Sequence, residues 1–235
     1  MNAGPEPIGL LDGIATTRAI RRTTDAPVSD DQLATILWHA SRAPTGSNRQ
    51  GFRFLVLRDD ERSRRAKALI GESARAAWAA KRAGDGYDRG SGAEPGSPKA
   101  RMAASMEHYV ENIDTVPVMI LPCLVRHRPP NPYEGASVYP AVQNLLLAAR
   151  AIGLGGVFTI WQAAVESELR ELLAIPDDVF VAGTITLGHP AGGHGPVRRR
   201  PLSELVFEGA WGATAAWAAD PPGTRFTAAG PPTRA

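Results

Sequence analysis

The stretch from Ala43 to Phe54 reads APTGSNRQGFRF, and it decides how the first part of the chain folds. It ends a helix of apolar periodicity, turns through small polar residues and opens a short strand predicted at Phe52–Leu57. Such a turn presents backbone N–H groups, hydroxyls and amides rather than apolar bulk. Upstream, Arg18, Arg21 and Arg22 stand at i, i+3 and i+4, which gathers three guanidiniums on one helical face. Together these features predict a receptor for a flat polar ligand that carries a phosphate.

Apolar periodicity predicts alternating helices and strands on both sides of this turn. Helices are predicted at Leu10–Ala19, Asp31–Ser41, Glu61–Arg82, Lys99–Asn112, Ala141–Ile152 and Ser167–Leu173. Ser29 or Asp30 is predicted to cap the second helix, and the apolar character of Ala141–Ile152 predicts a helix buried on all sides. Further strands are predicted at Val116–Val125, Val157–Trp161 and Phe180–Leu187. This alternation indicates an α+β or α/β sheet covered by helices, within one domain over residues 1–235.

Composition narrows the classes of partner. The formal charge is only +2, from 26 basic and 24 acidic residues, so neither nucleic acid nor an anionic membrane is an expected partner. The single Cys123 excludes an intrachain disulfide, and its apolar surroundings in sequence favour a small buried side chain. The N-terminus lacks a basic region and a long apolar run, so we expect a cytoplasmic protein. The five histidines show no ligand spacing, so no metal site is expected.

Two segments are predicted to be irregular. Gly84–Pro98 is rich in Gly, Pro, Ser and Asp and exceeds the usual length of a connection, which is typical of disordered segments and of lids. We expect a lid over about residues 84–112. The aromatic residues around it either stack on an aromatic acceptor or pack in the core; they are Trp78, Tyr87, Tyr109 and Phe158. The C-terminal segment 211–235 is either a frayed tail or an arm over a neighbouring subunit, and Trp211 with Trp217 favours the arm.

Four blocks of sequence, in this order, resemble the FMN-dependent nitroreductases. They are TTRAIRRTTDAPV (16–28), ILWHASRAPTGSNRQGFRFLVL (36–57), AVQNLLLAARAIGLGGVF (141–158) and VAGTITLGHPAGGHGPVRRRPLSELV (181–206). The resemblance implies an α+β fold with a central, mostly antiparallel sheet flanked by helices. It also implies an intertwined homodimer with two flavin sites at the subunit interface.

The resemblance further implies the residues that hold FMN. Carried over to this sequence, they are Arg18, Ala19, Arg21, Pro44, Thr45, Asn48, Gln50, Gly155, Gly156, Val157 and Arg199. The residues themselves add Arg22 and Arg198, which extend the two arginine clusters, and Gln143, whose amide interrupts an apolar helix and contacts either the flavin or a neighbouring loop. An FMN phosphate is close to dianionic and suits bidentate arginine, although an isolated arginine cluster is more often a solvated surface. Departures from the family occur at Thr17, where relatives have Arg, at Ala19, where they have Ser, and at Gly51-Phe52, where Pro-Trp is frequent.

The implied activity is a two-step transfer of electrons. NADPH or NADH reduces FMN and leaves, and a nitroaromatic or quinone then takes the electrons. We expect no catalytic side chain, because the cofactor carries the hydride chemistry and the protein supplies position and electrostatics. Two alternatives stay open, namely other flavin chemistry such as dehalogenation or substrate dehydrogenation, and a protein that holds FMN without turnover. The sequence leaves open the acceptor and the choice between NADPH and NADH.

Overall fold

The computed structural model describes residues 8–194, 197–222 and 224. The chain divides into two compact units. The first comprises Met1–Ile8 and Ala19–Gly193, and the second comprises Gly9–Arg18 and His194–Ala235. Each unit is described by itself.

The first unit is built on one antiparallel sheet. Its strands are β1 (Phe52–Leu57), β2 (Val118–Val125), β3 (Gly155–Thr159), β4 (Val179–Val181) and β5 (Thr184–Gly188). The strand order is β1-β2-β5-β3, with β4 also paired to β2, and every pairing among these strands is antiparallel. The predicted α+β class with a mostly antiparallel sheet is therefore confirmed.

The predicted strand Phe180–Leu187 is interrupted in the structure. Val181 lies opposite Cys123 and Ile185 lies opposite Ile120, so β4 and β5 carry one residue more than β2 between these pairs. This is the geometry of a β-bulge. It lies beside Pro122, which has no N–H for the ladder and accepts a hydrogen bond from the Ala182 N–H at 2.8 Å. The bulge explains why one apolar run forms two short strands.

Helices cover both faces of the sheet because the side chains of β2 alternate in direction. Met119, Leu121 and Cys123 pack in one cluster with α3 (Glu61–Gly84), α4 (Pro98–Asn112) and α6 (Glu166–Leu173), whereas Val118 and Ile120 pack with α2 (Asp30–Ala40) and α5 (Tyr139–Ala151). Cys123 is buried, and burial raises the pKa of its thiol to about 11. It is therefore the inert apolar side chain that the sequence predicts.

The second helix begins where its cap predicts. Ser29 is the N-cap of α2, and it forms a capping box with Gln32. Leu33, Ile36 and Ala40 are buried along one stripe of this helix. The helix directs the chain into the turn that follows Ala43.

The first helix is shorter than predicted. Helix α1 (Leu10–Thr16) belongs to the second unit, and residues 17–22 are not helical. Backbone bonds in the first unit account for the difference: the Ile20 N–H donates to the Gly156 carbonyl at 3.1 Å and the Thr24 N–H donates to the His189 carbonyl at 2.8 Å. The predicted clustering of Arg18, Arg21 and Arg22 on one helical face is therefore wrong.

The predicted burial of the fifth helix on all sides is also wrong for the single chain. One face of α5 packs in the core through residues that include Leu145 and Ala149. The opposite side leaves Tyr139 and Gln143 exposed and Leu147 half-buried. A surface of this composition is suited to a contact with another molecule.

The segment predicted as a lid is anchored to α3 and α4. The ring of Tyr87 is close to two side chains, with its centroid 5.1 Å from that of Trp78 and 5.4 Å from Nζ of Lys99. Arg82 forms ion pairs with Asp88 at 2.9 Å and with Glu107 at 2.7 Å. These contacts fix the first part of the segment in the observed arrangement.

The second unit exposes several large apolar side chains. Phe207 forms an isolated bridge with Thr214, and its ring packs edge-on against Trp211. Trp211 is 94% exposed and Trp217 is 64% exposed. The predicted arm therefore has apolar area to bury, although most of its residues after 222 lie outside the described residues. None of the described helices has the length and apolar character needed to cross a membrane.

Candidate functional site

The turn between α2 and β1 holds an unusual backbone conformation. Ser47, Asn48 and Gln50 have φ values of 52°, 51° and 51°, which lie in the left-handed region. Non-glycine residues rarely adopt this region, and each such residue costs on the order of 1 kcal/mol unless its surroundings fix it. Clusters of this kind are typical of sites where ligands bind.

Hydrogen bonds within the turn hold this conformation. The Gln50 N–H donates to Oγ1 of Thr45 at 3.0 Å, and the Asn48 N–H donates to the Thr45 carbonyl at 2.9 Å. The side-chain amide of Gln50 donates to Oδ1 of Asn48 at 3.2 Å. Pro44, Asn48 and Gln50 are exposed and Thr45 is half-buried. The predicted turn residues thus present polar groups to solvent on a fixed backbone.

Gln143 belongs to the same end of the sheet. It lies one helical turn into α5, just after Ala141, which packs in a cluster with Ala43, Phe52 and Leu124. Gln143 itself is exposed. The five predicted residues at this end, Pro44, Thr45, Asn48, Gln50 and Gln143, form what we call the turn half-site.

A second group of predicted residues lies where the segment after residue 18 runs along the sheet. Besides the Ile20–Gly156 bond, the Ala191 N–H donates to the Arg22 carbonyl at 3.0 Å, so the backbone on both sides of Arg21 is fixed. Arg21 is half-buried and Arg22 is exposed. We call this group the arginine half-site; its members are Ala19, Arg21, Arg22, Gly155, Gly156 and Val157.

A buried hydroxyl pair supports the arginine half-site. Tyr109 and Thr186 share a hydrogen bond of 2.9 Å between Oη and Oγ1. Burial raises the pKa of Tyr109 to about 12, and the positive charge of Arg21 acts in the opposite direction. Arg21 is therefore near enough to influence the buried end of Tyr109 electrostatically.

Two glycines in and beside this half-site, Gly156 and Gly153, are required by the local structure. Gly153, with φ of 82°, ends α5, and the Leu154 N–H returns to the Ala149 carbonyl at 2.8 Å. Gly156 lies inside β3, where an added Cβ would stand 2.4 Å from the Thr186 carbonyl oxygen. Gly153 is thus a helix cap, and close strand packing explains Gly156.

The two half-sites lie at opposite ends of the sheet. Strand β1 begins opposite Leu124 at the end of β2, and Gly156 pairs with Leu187, which lies opposite Val118 at the start of β2. The eight residues of β2 span roughly 23 Å at 3.3 Å per residue. One chain therefore does not bring its two half-sites to the same small ligand.

The remaining predicted residues belong to the second unit. Arg18, Arg198 and Arg199 are exposed, and Arg199 donates from Nη1 to the Arg198 carbonyl at 2.8 Å.

A cavity of about 470 Å³ adjoins the turn half-site. Its walls come from the turn, from the end of β2 and from the loop that leads to α5. The lining residues include Thr45, Arg49, Arg53, Arg126, His127, Arg128, Tyr133 and Glu134. A larger groove of about 930 Å³ lies between α3 and α6, and none of the predicted site residues lines it.

Sequence reasoning missed the wall formed by residues 126–137. Arg126 donates to both carboxylate oxygens of Glu134, at 2.8 and 3.0 Å, and this pair holds the loop against the end of β2. The same contact lowers the pKa of Glu134. The run Arg126-His127-Arg128, directly after a buried strand, was the available signal, but nothing in sequence brings it beside Thr45.

Two of the aromatic side chains considered for stacking on an acceptor are core residues. Trp78 is 3% exposed and donates from Nε1 to Glu107 at 2.7 Å, and Tyr109 is 2% exposed. Neither presents a face to a ligand in this arrangement. Phe158 is half-buried and packs edge-on against Tyr139.

The family model described as the nitroreductase family matches residues 14–189. The chain belongs to the nitroreductase family. The match contains both half-sites and every strand of the sheet.

Several known proteins are similar to this chain in sequence or in structure. An NADPH-flavin oxidoreductase of Vibrio harveyi is 24% identical over 209 residues, which are 84% of this chain and 72% of that protein. A Desulfovibrio desulfuricans protein crystallised in complex with FMN is 30% identical, with a TM-score of 0.63 over 87% of this chain and 98% of the other. An FMN- and NADPH-dependent nitroreductase of Sphingopyxis sp. strain HMH shares the fold, with 22% identity and a TM-score of 0.67 over 87% and 100% of the two chains.

Proposed function

We propose that this protein is an FMN-dependent NAD(P)H oxidoreductase that passes electrons to small acceptors such as nitroaromatics or quinones. Membership of the nitroreductase family and similarity to proteins that hold FMN support the cofactor. When bound, FMN would supply the redox chemistry, which is the transfer of electrons from a nicotinamide to the acceptor. The chain's own residues bind the flavin, orient it and set its electrostatic surroundings.

The main structural support for a flavin site formed by two copies of the chain is the separation of the two half-sites. Both the turn half-site and Gly156 are expected beside the flavin ring, which is far shorter than the roughly 23 Å between the ends of β2. A two-fold dimer resolves this, because the turn of one copy then meets the arginine half-site of the other, twice. The flavin site is thus formed by two copies of the chain.

The exposed surface of the first unit supports a second copy. Tyr139 is 42% exposed on α5, and Ile160, directly after β3, is 62% exposed. Burying such side chains is a main source of stability in dimers of this size. The dimer therefore buries apolar area and completes the site at the same time.

Each half-site has a distinct task. Arg21 offers a guanidinium for the dianionic phosphate, and its fixed backbone lowers the entropic cost of binding. Across the interface, the hydroxyl of Thr45 and the amides of Asn48 and Gln50 offer hydrogen bonds to the polar edge of the flavin and to its ribityl hydroxyls. No side-chain acid or base is required for the hydride step.

The experiment is an absorbance spectrum of the purified protein, followed by NADPH addition without oxygen and then a nitroaromatic. We expect a flavin spectrum that bleaches with NADPH and returns with the nitroaromatic. A yellow protein that does not bleach would favour a protein that only holds FMN. A colourless protein that cannot be reloaded with FMN would overturn the proposal.

A further inference from the structure

The cavity beside the turn half-site has more basic residues in its lining than have carboxylate partners among the described residues. Among the described residues that line it, four are arginines, one is a histidine, and one, Glu134, is acidic. The basic residues are Arg49, Arg53, Arg126, His127 and Arg128. A concentration of one sign of charge in a concave site attracts ligands of the opposite sign.

Two of these residues, Arg126 and Arg53, have hydrogen-bond partners within the structure. Arg126 holds Glu134 in a two-bond ion pair, and both side chains are largely buried. Arg53 donates from Nη1 to the carbonyl oxygens of Gln50 and Phe52, at 2.9 and 2.8 Å. These contacts stabilise the walls, and the charge of Arg126 neutralises that of Glu134.

The other three basic residues line the same cavity. Among the described residues, no Asp or Glu lies within ion-pair distance of Arg49 or Arg128. Arg128 donates from Nε to Nε2 of His127 at 3.1 Å, which requires a lone pair on that nitrogen and thus a neutral ring. Burial, Arg49 and Arg128 all lower the pKa of His127, so the three groups lie within electrostatic reach of one another.

A phosphate monoester matches this cluster better than a carboxylate does. It carries close to two negative charges and three terminal oxygens, which two guanidiniums and an imidazole can share. Tyr133, at the same cavity, is 80% exposed and offers a ring face to a flat base. The ligand indicated is a phosphate attached to a nucleoside.

We propose that Arg49, His127 and Arg128 bind the 2′-phosphate of NADPH, with Tyr133 against the adenine, so that this cavity selects NADPH over NADH. The assignment rests on the proposed function, because NADPH is one of the two electron donors that the proposed function uses. The cavity shares Thr45 and Gly51 with the turn that reaches the flavin, so a bound dinucleotide lies next to the redox centre.

Direct binding tests this assignment without turnover. Calorimetry on the FMN-loaded protein compares adenosine 2′,5′-bisphosphate with adenosine 5′-monophosphate and with inorganic phosphate. We expect the bisphosphate to bind at least about tenfold more tightly than the other two, and Arg49→Ala with Arg128→Ala to abolish that difference. Arg62→Ala, an exposed arginine of the larger groove, is the matched control and keeps the difference.

Kinetics give a second measurement. The ratio of KM for NADPH to KM for NADH should rise about tenfold in each of Arg49→Ala and Arg128→Ala, and stay unchanged in Arg62→Ala. Equal affinity for the two nucleotides, or an unchanged ratio in both variants, would overturn the assignment, and so would inorganic phosphate binding as tightly as the bisphosphate. A protein that binds FMN but shows no turnover would defeat the proposed function instead, and the preference of the FMN-loaded protein for the bisphosphate would still decide the inference.

Discussion

At the scale of single residues, Gly156 shows how packing fixes a residue type. Its Cα faces the Thr186 carbonyl oxygen so closely that a Cβ would stand 2.4 Å away. Because that oxygen belongs to the neighbouring strand, the backbone of β3 or β5 must shift to accept a methyl group.

Gly156→Ala should therefore lower the free energy of unfolding by about 2 kcal/mol, or Tm by roughly 4–8 °C. Gly193→Ala is the control, since an added Cβ there meets nothing within 4 Å. Thermal unfolding of both variants checks the prediction. Equal Tm values for the two variants would show that β3 and β5 accept the added methyl group without loss of stability.

Glu134 is the residue that holds the wall of the cavity in place. Its contact with Arg126 lowers its pKa, so the contact stabilises the fold above the unfolded-state pKa of about 4.3 and is lost as the pH falls through the lowered value. Glu134→Gln should cost about 1–3 kcal/mol at pH 7, and this cost should shrink as the pH drops below about 4.

Chemical denaturation between pH 3 and pH 7 measures this dependence. Glu168→Gln, at an exposed residue of α6, should change the free energy of unfolding by less than about 0.5 kcal/mol throughout. A cost of Glu134→Gln that stays constant with pH would mean that the charge of the carboxylate is not what stabilises the loop.

At the scale of elements, the turn from Thr45 to Gln50 combines backbone strain with hydrogen bonds that fix it. Thr45 Oγ1 accepts from the Gln50 N–H, so Thr45→Val removes the acceptor and keeps the shape of the side chain. We expect Thr45→Val to raise the Kd for FMN about tenfold and Thr45→Ser to restore it, because serine keeps the hydroxyl. Flavin fluorescence titration measures both, and equal Kd values for the valine and serine variants would contradict a role for the hydroxyl.

Elements with strong periodicity could be predicted from the sequence to within a few residues. Strand β1 matches its prediction at both ends, and α2 and α6 each begin one residue earlier than predicted. The first helix was predicted too long, because backbone bonds to Gly156 and His189 hold residues 20–24 in an extended segment. Local propensity does not reveal such partners.

The candidate site was predictable only in part for the same reason. The turn residues lie close together in the sequence, so the pattern of Thr45, Asn48 and Gln50 could predict them as one group. The basic wall of the cavity meets the turn through the register of β1 with β2, in which Phe52 lies opposite Leu124. That register depends on the tertiary fold, so the sequence pattern gave no reason to connect Arg49 with Arg128.

At the scale of the whole molecule, the proposed flavin site needs a second copy of the chain, because its two half-sites lie at opposite ends of the sheet. If each flavin takes Arg21 from one copy and the Thr45–Gln50 turn from the other, defects in different half-sites complement each other. A heterodimer of an Arg21→Ala copy and an Asn48→Ala, Gln50→Ala copy has one site with both defects and one intact site. A site within one chain gives no such rescue.

The most direct measurement is therefore the FMN content of that heterodimer. The two copies carry different affinity tags, are produced together and are purified through both tags at an FMN concentration where neither variant alone retains flavin. Our account predicts about half of the flavin per chain that the unmodified protein binds. A heterodimer with no more flavin than either variant alone would contradict a site built from two copies.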